Sequence, residues 1–335
     1  MNSHDFQHRF FQHLKSLLPS YKSLVDEISD LLEISTDSAY RRIRGEKVIN
    51  LDEIKKISQH FRISLDQLLN LQTDAIVFHG KLNDYSDNRF GAWLEDVHKQ
   101  LELVYSHKHK HIYFLMKDIP PFYHFYFKEL TSFKFFFWMK SILHYENLKG
   151  QSFDSRINRF DEFNDLLRKI LYLYNRIPST EIWNEESINT TITQIDLYHK
   201  MGLMSNPEDV RLLYSQMLEL VNHLEKQAET GKKFVPNKPI EPDHESYRLF
   251  VNEFIMGDNT FMAEIDNIRI TYLNHSVMYF IGSTDSRFND AMFNSLDNLM
   301  KKSTMISSVG EKDRSQFFNK LKAKIQAKMS LLIPA

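Results

Sequence analysis

Ser35-Thr36-Asp37-Ser38-Ala39-Tyr40-Arg41-Arg42-Ile43-Arg44-Gly45-Glu46 carries three local signals in the order a short helix needs them. Ser35 is a good N-cap, because its hydroxyl can accept from the first unpaired backbone N–H groups. Ala39 and Ile43 recur one turn apart on an inner face, and Gly45 stands where a left-handed C-terminal residue belongs. The spacing predicts a helix over about 36–44, with Thr36, Asp37, Ser38, Tyr40, Arg41 and Arg42 on or near its outer face. Upstream, Leu24, Ile28 and Leu31 predict a second amphipathic helix, separated from the first by a break at Glu33-Ile34. Phe6, Phe10, Leu14 and Leu17 predict an earlier helix that Pro19 ends. Downstream, Asn50 caps a helix carrying Leu51, Ile54, Ile57 and Phe61, and Ser64 opens a last one through Leu65, Leu68 and Leu69. Five short helices in residues 1–70 have the arithmetic of a helix-turn-helix domain, in which a tight turn lets the second helix of the pair project outward.

The exposed residue types suit DNA. Ser35, Thr36 and Ser38 stand at a helix start, where hydroxyls and backbone N–H groups meet phosphate. Arg41 or Arg42 has the planar fork for guanine O6 and N7, a contact worth about 1–3 kcal/mol of base discrimination. Arg44 and Lys47 leave the helix end toward backbone phosphate, Tyr40 toward sugar or a thymine methyl, and Asp37 reads as a cap. The run from Ser38 to Glu46, with Leu51-Asp52-Glu53-Ile54 and Ile63-Ser64-Leu65-Asp66-Gln67-Leu68 after it, resembles the phage-repressor-like (XRE-type) helix-turn-helix family, and within it the BetR-type N-terminal domain. The resemblance spans about residues 20–70. It implies a compact all-helical DNA-binding domain of a bacterial regulator that acts as a dimer.

Residues 1–70 hold 10 Lys and Arg against 10 Asp and Glu, so no strong nonspecific attraction to nucleic acid is built in. Asp26, Glu27, Asp30 and Glu33 concentrate the acid on the first helix of the pair. That balance supports an alternative reading, a protein-interaction or scaffolding module that keeps the helix-turn-helix fold without binding DNA.

The remaining chain is less explicit. Residues 71–90 contain Asp74, Gly80, Asn83, Asp84, Ser86, Asp87 and Asn88 and read as a linker with one short strand. Helical patterns are predicted from Trp93 to Val104 and at about 125–145, 153–175, 185–201, 207–230, 244–256, 286–302 and 312–330. Strands are predicted at His111–Met116, Asn267–Leu273 and Ser276–Ile281, with Asn274-His275 as a hairpin turn. The stretch 231–243, with Gly231, Pro236, Pro239 and Pro242, is either a boundary or a long surface loop. The expected fold is therefore mainly α: a five-helix N-terminal domain, then a larger helical effector or dimerisation domain over 91–335 with a small β component (α+β), divisible near 231–243.

Among 335 residues there are 26 Phe and no Cys, which excludes disulfides, thiol nucleophiles and Cys-ligated metals. Phe122-Tyr123-His124-Phe125-Tyr126-Phe127 and Phe135-Phe136-Phe137-Trp138 fit a core helix, a dimer interface or an effector pocket. Lys128, Glu129, Lys134 and Lys140 make a membrane span there too costly. His107, His109 and His111 alternate with Lys108 and Lys110, and no fourth ligand accompanies them. No phosphate loop, nucleophile elbow, zinc-hydrolase or dinucleotide motif is present, so no enzyme activity, catalytic residue, metal or cofactor is expected. With no basic start and apolar run at Met1-Asn2-Ser3-His4-Asp5, the expected compartment is the cytoplasm. The expected partners are double-stranded DNA, a second copy of the chain, and an unknown small-molecule or protein effector at the C-terminal region.

Overall fold

The computed structural model describes residues 3–61, 63, 76–80, 89–253, 259–274, 276 and 279–332. Four helices open the chain: α1 (Ser3–Ser16), α2 (Leu24–Leu32), α3 (Thr36–Ile43) and α4 (Leu51–Phe61). Their apolar stripes meet in one small core of Phe10, Phe11, Leu14, Ile28, Ala39 and Ile57. The fifth helix expected from Ser64 lies outside the described residues, as does most of the expected linker.

The rest of the chain corrects the mainly-α expectation. It is organised by an eight-stranded mixed sheet, not by helices with a minor β element. The strands are β1 (His79–Gly80), β2 (Lys110–Leu115), β3 (Ser179–Trp183), β4 (Tyr247–Val251), β5 (Thr260–Ile265), β6 (Ile268–Asn274), β7 (Phe280–Ser283) and β8 (Thr304–Met305). Their spatial order is β1-β7-β6-β5-β2-β3-β4-β8. The central β2, β3 and β4 run parallel, and every other pairing is antiparallel. Parallel neighbours need long crossovers. Here they contain α6 (Lys128–Phe137) and α7 (Asn164–Asn175), then α8 (Asn189–Lys200) and α9 (Glu208–Thr230). The other helices are α5 (Arg89–Ser106), α10 (Ser286–Lys301) and α11 (Glu311–Ser330).

The helix expected at 244–256 is strand β4, and residues 153–163 precede α7 instead of belonging to it. Strand β3 has all five residues buried, so its sequence lacks the alternation that betrays a half-exposed strand. The hairpin between β6 and β7 forms, but not about Asn274-His275: Asn274 belongs to β6 and pairs with Phe280, Leu273 lies opposite Ile281, and His275 lies outside the described residues. The Pro-containing stretch after Gly231 folds back on α9: the Phe234 carbonyl accepts from His223 and Gln227 at 2.6 and 2.7 Å.

One sheet face carries the main core. Ile112 and Phe114 of β2, Leu249 of β4 and Ala263 of β5 pack there with α9 and α11. The opposite face is covered by α10 through Phe293 and Leu296 on Ile182 and Met262. The Phe-rich segment is core: Phe133, Phe135 and Phe136 of α6 expose nothing. Phe135 meets Phe90 edge-on at 4.6 Å and Phe125 at 5.6 Å. Phe135→Ala is expected to cost about 3–5 kcal/mol, through lost transfer energy and a residual cavity. Calorimetry should show the melting temperature fall by roughly 10 °C; a drop below about 2 °C would contradict this packing.

Candidate nucleic-acid interface

Three local devices fix the α2–α3 turn. Ser23 caps α2, accepting from the Asp26 N–H at 3.4 Å, and Glu33 ends it in the left-handed region at φ 55°. Ser35 then caps α3, accepting from the Ser38 N–H at 3.3 Å. Only Glu33, Ile34 and Ser35 separate the helices, which forces them to turn sharply. Ala39, with no exposed surface, lets α3 lie close on Ile28 and Leu32 of α2. Beyond α3, Gly45 takes φ 79°, a conformation that only a residue without Cβ adopts cheaply.

The surface of α3 divides cleanly. Thr36, Asp37, Tyr40, Arg41 and Arg44 are exposed, as are the flanking Ser35 and Lys47. The five lie at i, i+1, i+4, i+5 and i+8, one continuous face of an α-helix. Ser38 is half-buried. The Arg41 and Arg44 side chains keep 55% and 67% of their surface and make only loose contacts with Glu46, both at 3.9 Å. Arg44 also lies over the Tyr40 ring, 5.5 Å from its centroid. Cations held this loosely can be redirected to a phosphate or a base edge at small cost.

Arg42 departs from the expected outward set. Its side chain is 6% exposed and clamps Glu53 of α4 with two hydrogen bonds, at 2.6 and 3.2 Å. Its remaining nitrogen donates to the Ser38 carbonyl at 3.1 Å. The reason is positional: residue 42 falls one turn after Ala39 on the inner face, so its guanidinium is turned inward and needs a carboxylate. Donation from Arg42 holds the Glu53 carboxyl below the usual carboxylate range, against the opposing effect of burial.

Two further residues hold this turn, and the sequence reading passed over both. Glu53 accepts from the Asn50 N–H at 3.2 Å while Asn50 accepts from the Glu53 N–H at 2.8 Å, a reciprocal capping box at the start of α4. The Asn-x-x-Glu spacing was available as a signal. Gln7 of α1 is buried; its amide donates to the Arg42 and Lys47 carbonyls, both at 2.7 Å, and its oxygen accepts from Ile49 N–H at 3.3 Å. Nothing local in the sequence marks it.

The three alternating histidines do not converge. His107 contacts Asp266 at 2.9 Å before β2 begins, His109 is exposed, and His111 on β2 contacts Thr180 at 2.9 Å. Among the described residues, the grouping with metal-ligand spacing is Glu241, Asp243 and His244, where both carboxylates already bind Arg176. Among the same residues, no helix is long and apolar enough to cross a membrane.

No curated protein and no solved structure matches the chain. Residues 12–83 match the family model described as BetR domain, a helix-turn-helix-type DNA-binding domain, and that match takes in the whole α2–α3–α4 assembly just described.

Proposed function

We propose that the protein is a non-enzymatic, cytoplasmic transcriptional regulator that reads a specific DNA sequence through α3. The observation that carries this reading is the exposed helical face of Thr36, Tyr40, Arg41 and Arg44, set on a rigid turn. Arg41 takes the base-reading role, with a bidentate contact to guanine in the major groove. Tyr40 contacts sugar or a thymine methyl. Ser35, Thr36, Ser38, Arg44 and Lys47 position the helix on phosphate. Two copies would place two such helices about 34 Å apart, matching an inverted repeat. The part of the chain built on the sheet supplies dimerisation and effector response.

The test is selection of bound duplexes from a random pool by the full-length protein, followed by anisotropy titrations at two salt concentrations. An enriched inverted repeat is expected, with affinity falling about tenfold to a thousandfold between 50 and 200 mM salt. No enrichment at low salt would instead favour the interaction module, for which the acidic face of Asp26, Glu27, Asp30 and Glu33 provides a surface.

A further inference from the structure

A cavity of about 1450 Å³ lies where the N-terminal helices meet the sheet. Its roof comes from Arg9 and His13 of α1, Leu17 just after it, and Phe61 of α4. One wall is a stripe of α5, in which Trp93, Val97, Leu101 and Val104 recur at helical spacing. The opposite wall is the β5–β6 face, with Phe261 and Tyr272 stacked 5.1 Å apart. The two parts of the chain are also tied directly, since the Ser20 hydroxyl donates to the Ser106 carbonyl at 2.6 Å.

The floor is polar and built. Lys134, 1% exposed, donates to Gln194 at 2.8 Å and Thr191 at 3.0 Å, and its ammonium lies 3.7 Å from Asp118. Burial lowers the Lys134 pKa, an effect that Asp118 partly offsets, and burial raises that of Asp118. A Lys on an aromatic-rich helix is held here by hydrogen-bonding side chains, whereas a packed hydrocarbon would fill the same space at lower cost. That arrangement makes sense if the polar end meets something.

Charge narrows what it meets. The lining cations Arg9, Lys117 and Lys134 are matched by Asp96, Asp118 and Asp285. Burial lowers the pKa values of the lining His13 and His79, which favours their neutral forms. A ligand with a net charge would find no excess of the opposite sign. Along the α5 stripe and beside Phe114, Phe261 and Ile270 the lining is apolar and offers water few of the two to four partners it needs.

We propose that this cavity binds an uncharged, predominantly apolar small molecule with one hydrogen-bonding end, which lies against Asp118, Lys134 and Gln194. Its body contacts α1 and α4 as well as the sheet, so binding alters how the helix-turn-helix is held. This second part rests on the DNA-binding reading; the first does not.

The experiment uses the full-length protein, the neutral dye Nile red, and displacement by 1-decanol and by decanoate. One saturable dye site per chain is expected, with decanol at least fivefold more effective than decanoate. Val97→Trp and Gln100→Trp place an indole in the cavity and are expected to weaken dye binding at least tenfold. Gln100 is exposed at the rim, so its variant remains informative if Val97→Trp fails to fold. Dye binding that is absent, or unchanged in the folded variants, overturns the site, and decanoate binding as well as decanol overturns the neutral ligand class. With the selected duplex, decanol should shift DNA affinity at least fivefold; an unshifted affinity alongside dye binding overturns the coupling alone. Dye binding without any DNA binding retires the regulator reading and leaves the cavity assignment standing.

Discussion

Arg42→Ala is expected to unfold the N-terminal helices, whereas Arg41→Ala combined with Arg44→Ala leaves them folded and removes specific DNA binding. The three arginines lie within four positions of sequence, yet their surroundings assign them opposite roles. Arg42 is buried in a bidentate pair with Glu53, and Glu53 also closes the cap of α4. Removing the guanidinium leaves a carboxylate stranded in a desolvated turn and frees the Ser38 carbonyl. Breaking such a pair costs about 3–5 kcal/mol, a large share of the 5–15 kcal/mol that holds a typical domain. Arg41 and Arg44 have no such partners, and surface substitutions of this kind change stability by about 0.5 kcal/mol or less. Loss of one base contact and one phosphate contact should weaken operator binding roughly 10- to 300-fold, as about 1–3 kcal/mol for the first and about 0.5 kcal/mol for the second. Hydrogen exchange over α2–α4 reads the first effect and fluorescence anisotropy on the selected duplex reads the second. Arg42→Ala with native protection in α3 would show that the Glu53 clamp contributes nothing. Undiminished binding by the folded Arg41→Ala/Arg44→Ala protein would remove α3 from the interface.

Acid is expected to destabilise the protein steeply between pH 6.5 and 5, well above the range where carboxylates ordinarily titrate. Burial pushes His111 down to about 3 and His223 down to about 4, and holds His124 far below the usual histidine value. Each stays neutral in the folded protein while an unfolded histidine takes a proton near pH 6.5. Below that pH the unfolded chain binds more protons, so stability falls as pH falls, and the loss is complete only at the folded pKa. At pH 5, His111 and His223 should each have lost about 2 kcal/mol. Glu181 works in the opposite sense. Tyr123 and Tyr174 donate to it at 2.7 and 2.5 Å, but burial dominates and raises its pKa, so it gains a proton in the folded state first. Asp118, also raised by burial, acts the same way, but the three histidines outnumber the two carboxyls, and the net slope is downward. On the alkaline side Lys233, pushed down to about 7 by burial, should make stability rise from pH 7 toward 10. Urea midpoints measured from pH 5 to 9 check both limbs. His223→Gln should flatten the acid limb by about 2 kcal/mol, and an acid limb flat in the wild-type protein would show that these rings are not held neutral.

The N-terminal helices and their outer face were legible because the signals that make them are local. Ser35, Ala39, Ile43 and Gly45 each stand within four residues of the next, and a cap, a small residue and a left-handed turn work the same way in any surroundings. The inward turn of Arg42 was not legible, since it depends on Glu53 standing across a turn and Gln7 arriving from α1. The sheet was missed for a related reason. Strands such as β3 and β4 are five residues long and gain their hydrogen bonds from partners tens of residues away, so a period of two has too little length to declare itself. Sequence alone therefore determined the helix-turn-helix and the residue types it presents. Only the tertiary structure decided which arginine is structural, that the large domain is built on a sheet, and that an apolar cavity with a charged floor lies between the two, because each of these rests on groups far apart in the chain sharing one desolvated space.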